Sequence, residues 1–136
     1  MSLADYSRYM RAQNGGWGFE ELAARVGSVV AKQLFQLERK QRDVATDELI
    51  EQMAQLYQVS VEELRWHQER SRRALSLFCA DQQKAAGAMT LKLRHGESLT
   101  GKMVWYDIAA IALQTSDTAP PVIVQRHAVV DWAAVA

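Results

Sequence analysis

The spacing of hydrophobic residues changes at Gly87, and this change constrains the fold more than any other feature of the chain. From Phe19 onward, apolar residues recur every three or four positions, which is the period of a helix buried along one face. From Met89 to His95, apolar and charged residues alternate instead, which is the period of a half-buried strand. The sequence therefore predicts an α+β protein, with a helical region at residues 17–86 and a small antiparallel β-structure at residues 87–136.

Three helices are predicted in the upstream region. The first carries an apolar stripe from Phe19 to Leu37, and the second begins after Thr46, whose hydroxyl can cap free backbone amides. The third runs from Val61 to about Lys84 and follows a capping box, in which a serine and a glutamate three residues apart satisfy each other's backbone donors. Residues 1–16 end in a pair of glycines and are expected to be a flexible lead-in.

The second and third helices together are similar to a helix-turn-helix. Residues 54–60 supply a small residue and a turn, and Leu64 would seat the following helix. In this interpretation the third helix contacts DNA through four arginines, which are Arg65, Arg70, Arg72 and Arg73. The alternative is an αα-hairpin whose arginines form a solvated face, and it is favoured because Gln58 stands where the turn commonly has glycine.

Five short strands are predicted after Gly87. They cover Met89–His95, Leu99–Tyr106, Ile108–Thr115, Val122–Val124 and Ala128–Trp132. The segment 116–121 is rich in turn residues and ends in two prolines, which cannot donate to a central ladder, so it is predicted to be a loop. Strands this short, joined by so few residues, predict a small and strongly bent antiparallel barrel.

Two stretches of this β-region follow known motifs. Gly96, Leu99, Gly101 and Asp107 have the spacing of the first Sm motif, in which glycines avoid crowding in a sharply bent sheet. Residues 124–129, Val-Gln-Arg-His-Ala-Val, are similar to the valine-tyrosine-lysine-histidine-alanine-isoleucine stretch of the Hfq family of bacterial RNA chaperones. The β-region thus resembles the Sm-like family, and within it Hfq, over about 45 residues.

The resemblance implies a function as well as a fold. It implies a homo-oligomeric ring of six subunits, joined through the fourth and fifth strands, which binds single-stranded, uridine-rich RNA and acts in post-transcriptional regulation. Arg126 and His127 match the basic-histidine pair of the ring's pore, where they would contact phosphate and a base or sugar. Tyr106 and Asp107 match a structural aromatic-aspartate pair. The sequence departs from the family beside Asp107, since residues 108 and 109, isoleucine and alanine, replace the glutamine and the aromatic residue that read and stack the base.

Composition limits the other classes of function. The 16 basic and 16 acidic side chains cancel, so a nucleic-acid site must be a local patch that a ring would repeat. The three histidines and the single Cys79 form no catalytic or metal-binding pattern, so we expect no enzyme, metal or cofactor. No apolar run has the roughly 18–20 residues that a membrane span needs, and the composition favours the cytoplasm.

Two alternative functions remain open at the level of the sequence. In one, the protein is a DNA-binding regulator whose helical half grips duplex DNA while the barrel oligomerises it. In the other, it is a structural adaptor in which the barrel assembles the ring and the helices dock a protein partner without any nucleic acid.

Overall fold

The computed structural model describes residues 1–40 and 45–135. Within these ranges, six helices precede five strands, which confirms the α+β prediction. The helices are α1 Leu3–Gln13, α2 Phe19–Val26, α3 Ser28–Lys40, α4 Asp47–Tyr57, α5 Val61–Gln68 and α6 Arg72–Ala85. The strands are β1 Ala88–Leu93, β2 Ser98–Tyr106, β3 Ala110–Gln114, β4 Val122–Gln125 and β5 Val129–Ala134. A short 3-10 turn, Arg126–Ala128, separates β4 from β5.

The chain divides into two compact units, and the division falls between Arg72 and Arg73. We call residues 2–72 the helical unit and residues from 73 onward the sheet unit. The predicted boundary at residues 86/87 marks the change from helix to strand, whereas the compact units divide one helix earlier. The reason is that α6 places Leu75 and Cys79 in the apolar core of the sheet.

The helical unit departs from the prediction at its N-terminus. Residues 1–16 were expected to be a flexible lead-in, but residues 3–13 form α1. The Ser2 hydroxyl accepts a hydrogen bond from the Asp5 amide at 3.1 Å, so this helix begins with an ordinary serine cap. The ring of Tyr6 stacks on His67 of α5 at 3.9 Å, which ties α1 to the rest of the unit.

Two of the predicted helices are broken. The stripe from Phe19 to Leu37 spans α2 and α3, because the chain turns at Gly27, whose φ of +88° cannot continue a helix. The helix expected from Val61 to about Lys84 is divided between α5 and α6. The predicted starts are confirmed: Thr46 accepts from the Leu49 amide at 3.2 Å, and Ser60 accepts from the Glu63 amide at 3.0 Å.

The sheet unit is a five-stranded antiparallel sheet in the order β4-β3-β2-β1-β5. Its apolar core contains side chains from α6 and from β1, β3, β4 and β5, namely Leu75, Cys79, Met89, Leu91, Leu93, Ile111, Leu113, Val124 and Val129. Leu99, Met103 and Tyr106 of β2 and Trp132 of β5 pack against this core. In the described part of the chain, β4 pairs with β3 alone and β5 with β1 alone. Each outer strand therefore has one edge that no other described strand occupies, and we call these edges open. One carbonyl of β5, that of Val130, accepts a hydrogen bond from the amino group of Met1.

Two motif glycines have separate structural roles. Gly96 lies in the turn between β1 and β2 with a φ of +95°, a backbone conformation that other residues rarely adopt. Gly101 lies in β2, where β3 passes so closely that a Cβ atom would stand 2.3 Å from the carbonyl oxygen of Gln114. The close approach of β3 therefore requires a residue without a side chain at position 101.

We expect Gly101→Ala to lower the free energy of unfolding by about 2–3 kcal/mol, because the added methyl group meets backbone atoms that cannot rotate away. Urea denaturation followed by circular dichroism measures this loss. Gly87→Ala is the matched control in the same unit, since its Cβ would meet only the end of the Gln82 side chain. Equal stability of the two variants would contradict the close approach at Gly101.

Candidate nucleic-acid site

The sheet brings two distant segments of the chain together at one end. Residues 107–109 connect β2 to β3, and the 3-10 turn Arg126–Ala128 connects β4 to β5. The backbone amide of Arg126 donates a hydrogen bond to the carbonyl oxygen of Ala109 at 2.9 Å, so the two connections lie side by side. We call these two connections, residues 107–109 and 126–128, the loop pair.

Asp107 shapes the first connection of the loop pair. Its Oδ1 atom accepts hydrogen bonds from the amides of Ala109 and Ala110, each at 2.8 Å. These two backbone donors, together with the charge of Arg126, hold the pKa of the Asp107 carboxyl below its usual range. An ionised Asp107 thus caps the loop, as its place in the motif indicates, and holds the backbone of residues 107–110 in one turn.

Arg126 lies inside the sheet unit, with only 8% of its surface exposed. Its Nη1 atom donates to the backbone carbonyl of Asp107 at 2.6 Å, and its Nη2 atom donates to the hydroxyl of Ser76 on α6 at 2.7 Å. The resemblance to Hfq predicts that this residue contacts RNA. In the structure, its guanidinium joins the loop pair to α6, and the predicted contact with RNA stays a prediction.

The loop pair exposes side chains other than that of Arg126 to solvent. His127 is exposed, although it directly follows the buried Arg126. Ile108 has 83% of its surface exposed, the largest exposed fraction among the bulky apolar residues of the described chain, and Ala109 is exposed beside it. The loop pair therefore offers an imidazole and a small apolar surface.

The other motif residues support the sheet. Leu99 and Tyr106 are half-buried and pack against the apolar core of the sheet unit. Together with Gly96 and Gly101, they shape the strands that carry the loop pair.

The four arginines proposed for the helix-turn-helix do not form a common face. The Arg65 Nη2 atom lies 2.7 Å from a carboxylate oxygen of Asp47 on α4. The Arg70 guanidinium lies over the ring of Trp66 at 3.4 Å from its centroid. The α5 helix ends at Gln68, so Arg70, Arg72 and Arg73 all lie beyond the helix that would enter a DNA groove.

Arg72 forms an ion pair with Asp5 within the helical unit. Its Nε and Nη2 atoms donate to the two carboxylate oxygens of Asp5, at 3.2 Å and 3.0 Å. Burial would raise the pKa of Asp5, but the hydrogen bonds and the charge of Arg72 outweigh burial and leave this pKa lower than usual. Arg73 opens the sheet unit and is exposed. Three of the four arginines thus have intramolecular partners.

Sequence reasoning missed the part that Ser76 plays. The serine lies in a helix, directly after the buried Leu75, and nothing in its local pattern indicates a partner at residue 126. Only the approach of α6 to the loop pair creates this contact.

The described residues, 1–40 and 45–135, contain no group of three or more histidine, cysteine, aspartate or glutamate side chains that could hold a metal ion. None of the helices in these ranges has the length and the apolar character that crossing a bilayer requires.

The chain matches one described protein family over part of its length. Residues 73–131 match the model of a protein family described as Hfq related. No curated protein matches the chain. The family match begins at Arg73, where the sheet unit also begins, so it covers α6 except for its first residue and the sheet as far as Asp131 in β5. The C-terminal segment of this chain is therefore similar to the Hfq-related family, which is consistent with the predicted Sm-like character of residues 87–136.

Proposed function

We propose that this protein binds single-stranded RNA through its sheet unit, as a homo-oligomeric ring that acts in post-transcriptional regulation. The observation that carries the proposal is the Hfq-related match over a sheet whose strands β4 and β5 both have an open edge. An open edge can accept a strand from another subunit, so β4 of one copy can pair with β5 of the next. Repetition of this contact closes a ring, and six subunits is the number that the family resemblance implies.

The structure favours His127 over Arg126 as the group that contacts RNA. His127 is exposed on the loop pair, whereas Arg126 donates to Ser76 and Asp107. A histidine can stack on an unpaired base or donate to its edge, and Ile108 adds apolar surface beside it. A ring repeats this small contact several times around its pore, which gives useful affinity despite the neutral charge of the chain.

We expect His127→Ala to weaken the binding of a uridine-rich RNA by about tenfold, the size of one lost base contact. Fluorescence anisotropy with labelled uridine-rich RNA, adenine-rich RNA and duplex DNA at two salt concentrations measures this change. The control is His95→Ala, because His95 is also exposed, with 64% of its side chain accessible, but lies in the turn between β1 and β2.

The same measurement separates the three functions. Preference for single-stranded RNA together with loss of affinity in His127→Ala supports the proposal. Tighter binding of duplex DNA than of RNA would support the DNA-binding regulator instead. Negligible binding of all three probes at physiological salt would support the structural adaptor.

A further inference from the structure

The α6 helix is fixed firmly to the sheet. Leu75 and Cys79 lie four residues apart on one helix face, and both are buried in the core of the sheet unit. Phe78 adds a contact with the ring of Trp132 on β5, at 6.3 Å between ring centroids. Ser76 follows Leu75 directly, so the packing of the helix also determines where the Ser76 hydroxyl lies.

The guanidinium of Arg126 connects this hydroxyl to the loop pair. One arm donates to Ser76 at 2.7 Å and the other donates to the carbonyl of Asp107 at 2.6 Å. A guanidinium is planar and its donors stand at fixed angles, so fixing one arm also fixes the direction of the other. The position of Ser76 therefore sets the orientation of the group that holds residue 107.

Both connections of the loop pair depend on that orientation. Asp107 caps the turn that presents Ile108, through its hydrogen bonds to Ala109 and Ala110. Arg126 is the residue immediately before His127, and its own amide is bonded to Ala109. Tilting the guanidinium would shift the carbonyl of residue 107 and the 3-10 turn together.

We propose that Ser76 is a positioning residue of the RNA site: its hydroxyl orients Arg126, and Arg126 holds the loop pair in the conformation that presents His127 and Ile108. This inference rests on the proposed function, because the surface being positioned is the proposed RNA contact. Ser76 itself does not contact RNA.

The test compares three variants on α6. Ser76→Ala removes the hydroxyl and is not expected to destabilise the helix, because alanine is the best helix former. Ser76→Thr keeps a hydroxyl and is expected to behave like the original protein. Leu77→Ala is the matched control, since Leu77 is the next residue and is exposed.

The first measurement needs no RNA. Hydrogen exchange of the free protein, followed by mass spectrometry, reports the protection of residues 105–112 and 124–130. We expect Ser76→Ala to speed exchange in both segments by about fivefold, because a hydrogen bond to a charged group is lost. Ser76→Thr and Leu77→Ala are expected to leave exchange unchanged. Unchanged exchange in Ser76→Ala would overturn the positioning role whether or not the protein binds RNA.

The second measurement uses a labelled uridine-rich RNA in the anisotropy assay. We expect Ser76→Ala to weaken binding by about fivefold alone and by little more when combined with His127→Ala, because both changes act on one contact. One combination of results would overturn the role of Ser76 in RNA binding. In it, Ser76→Ala exchanges faster but binds RNA with full affinity, while His127→Ala binds RNA more weakly. Additive losses would overturn this role as well, since Ser76 would then act elsewhere. If the original protein binds no RNA, the proposed function fails, and faster exchange would then show Ser76 as a brace of the loop pair alone.

Discussion

We expect Arg126→Ala to lower the free energy of unfolding of the sheet unit by about 3–5 kcal/mol, because it removes two hydrogen bonds made by a buried charged group and leaves their acceptors without a donor. His127→Ala is the matched control. It changes the neighbouring residue, but its side chain is exposed, so we expect its stability to stay within about 0.5 kcal/mol of the original protein. Urea denaturation of both variants measures the difference.

Arg126→Lys refines this prediction. A lysine carries the same charge, but its single ammonium group cannot reproduce the fixed fork that joins Ser76 to Asp107, so an intermediate loss is expected. If Arg126→Ala is as stable as His127→Ala, the guanidinium does not brace the loop pair. The stability difference also matters for RNA assays. If Arg126→Ala binds RNA more weakly, part of the lost affinity reflects the lost structure of the loop pair.

Gln125→Pro is expected to convert the proposed ring to monomers and to weaken RNA binding by about a hundredfold, since separate subunits lose the gain from repeated contacts. Gln125 lies at the end of β4 with a φ of −70°, which proline adopts without strain. The amide of the next residue, Arg126, donates towards β3, to Ala109. Because successive amides of a strand point to opposite sides, the amide of Gln125 points to the open edge.

The substitution therefore removes a donor from the edge that is proposed to pair with the next subunit and spares the bonds to β3. Gln125→Ala keeps this donor and is expected to assemble like the original protein. Light scattering measures the mass of each assembly. A proline variant that still forms the full assembly would show that β4 is not the contact edge, and an original protein that is monomeric would contradict the ring itself.

Most of the fold could be predicted from local patterns. The change of period at Gly87, the caps at Thr46 and Ser60 and the five strands along the chain all depend on nearby residues, and the structure confirms them. The breaks between helices were missed, because the apolar period continues across Gly27 while the backbone turns there. The α1 helix was missed because its main contacts, such as Tyr6 with His67, join residues far apart in sequence.

The surroundings of the candidate site could not be predicted from the sequence, and its role in RNA binding stays a prediction. The motif resemblance indicated that Arg126 and His127 lie together, but it could not separate a buried arginine from an exposed histidine. That separation depends on the 3-10 turn, which sends the two side chains in different directions, and on Ser76, which lies fifty positions earlier in the chain. Local sequence carries no information on a contact of that range.

The position of α6 determines which segment of the chain a gene fusion must carry to transfer the sheet with its core. The sheet completes its core with residues from this helix, and the helix supplies the hydroxyl that holds Arg126. The transferable module therefore begins at Arg73, where the family match also begins, and not at the first strand. A gene fusion that carried only the strands to a new partner would leave behind part of the core and the support of the loop pair. The helical unit, by contrast, can be exchanged for other sequences without removing any residue of that core.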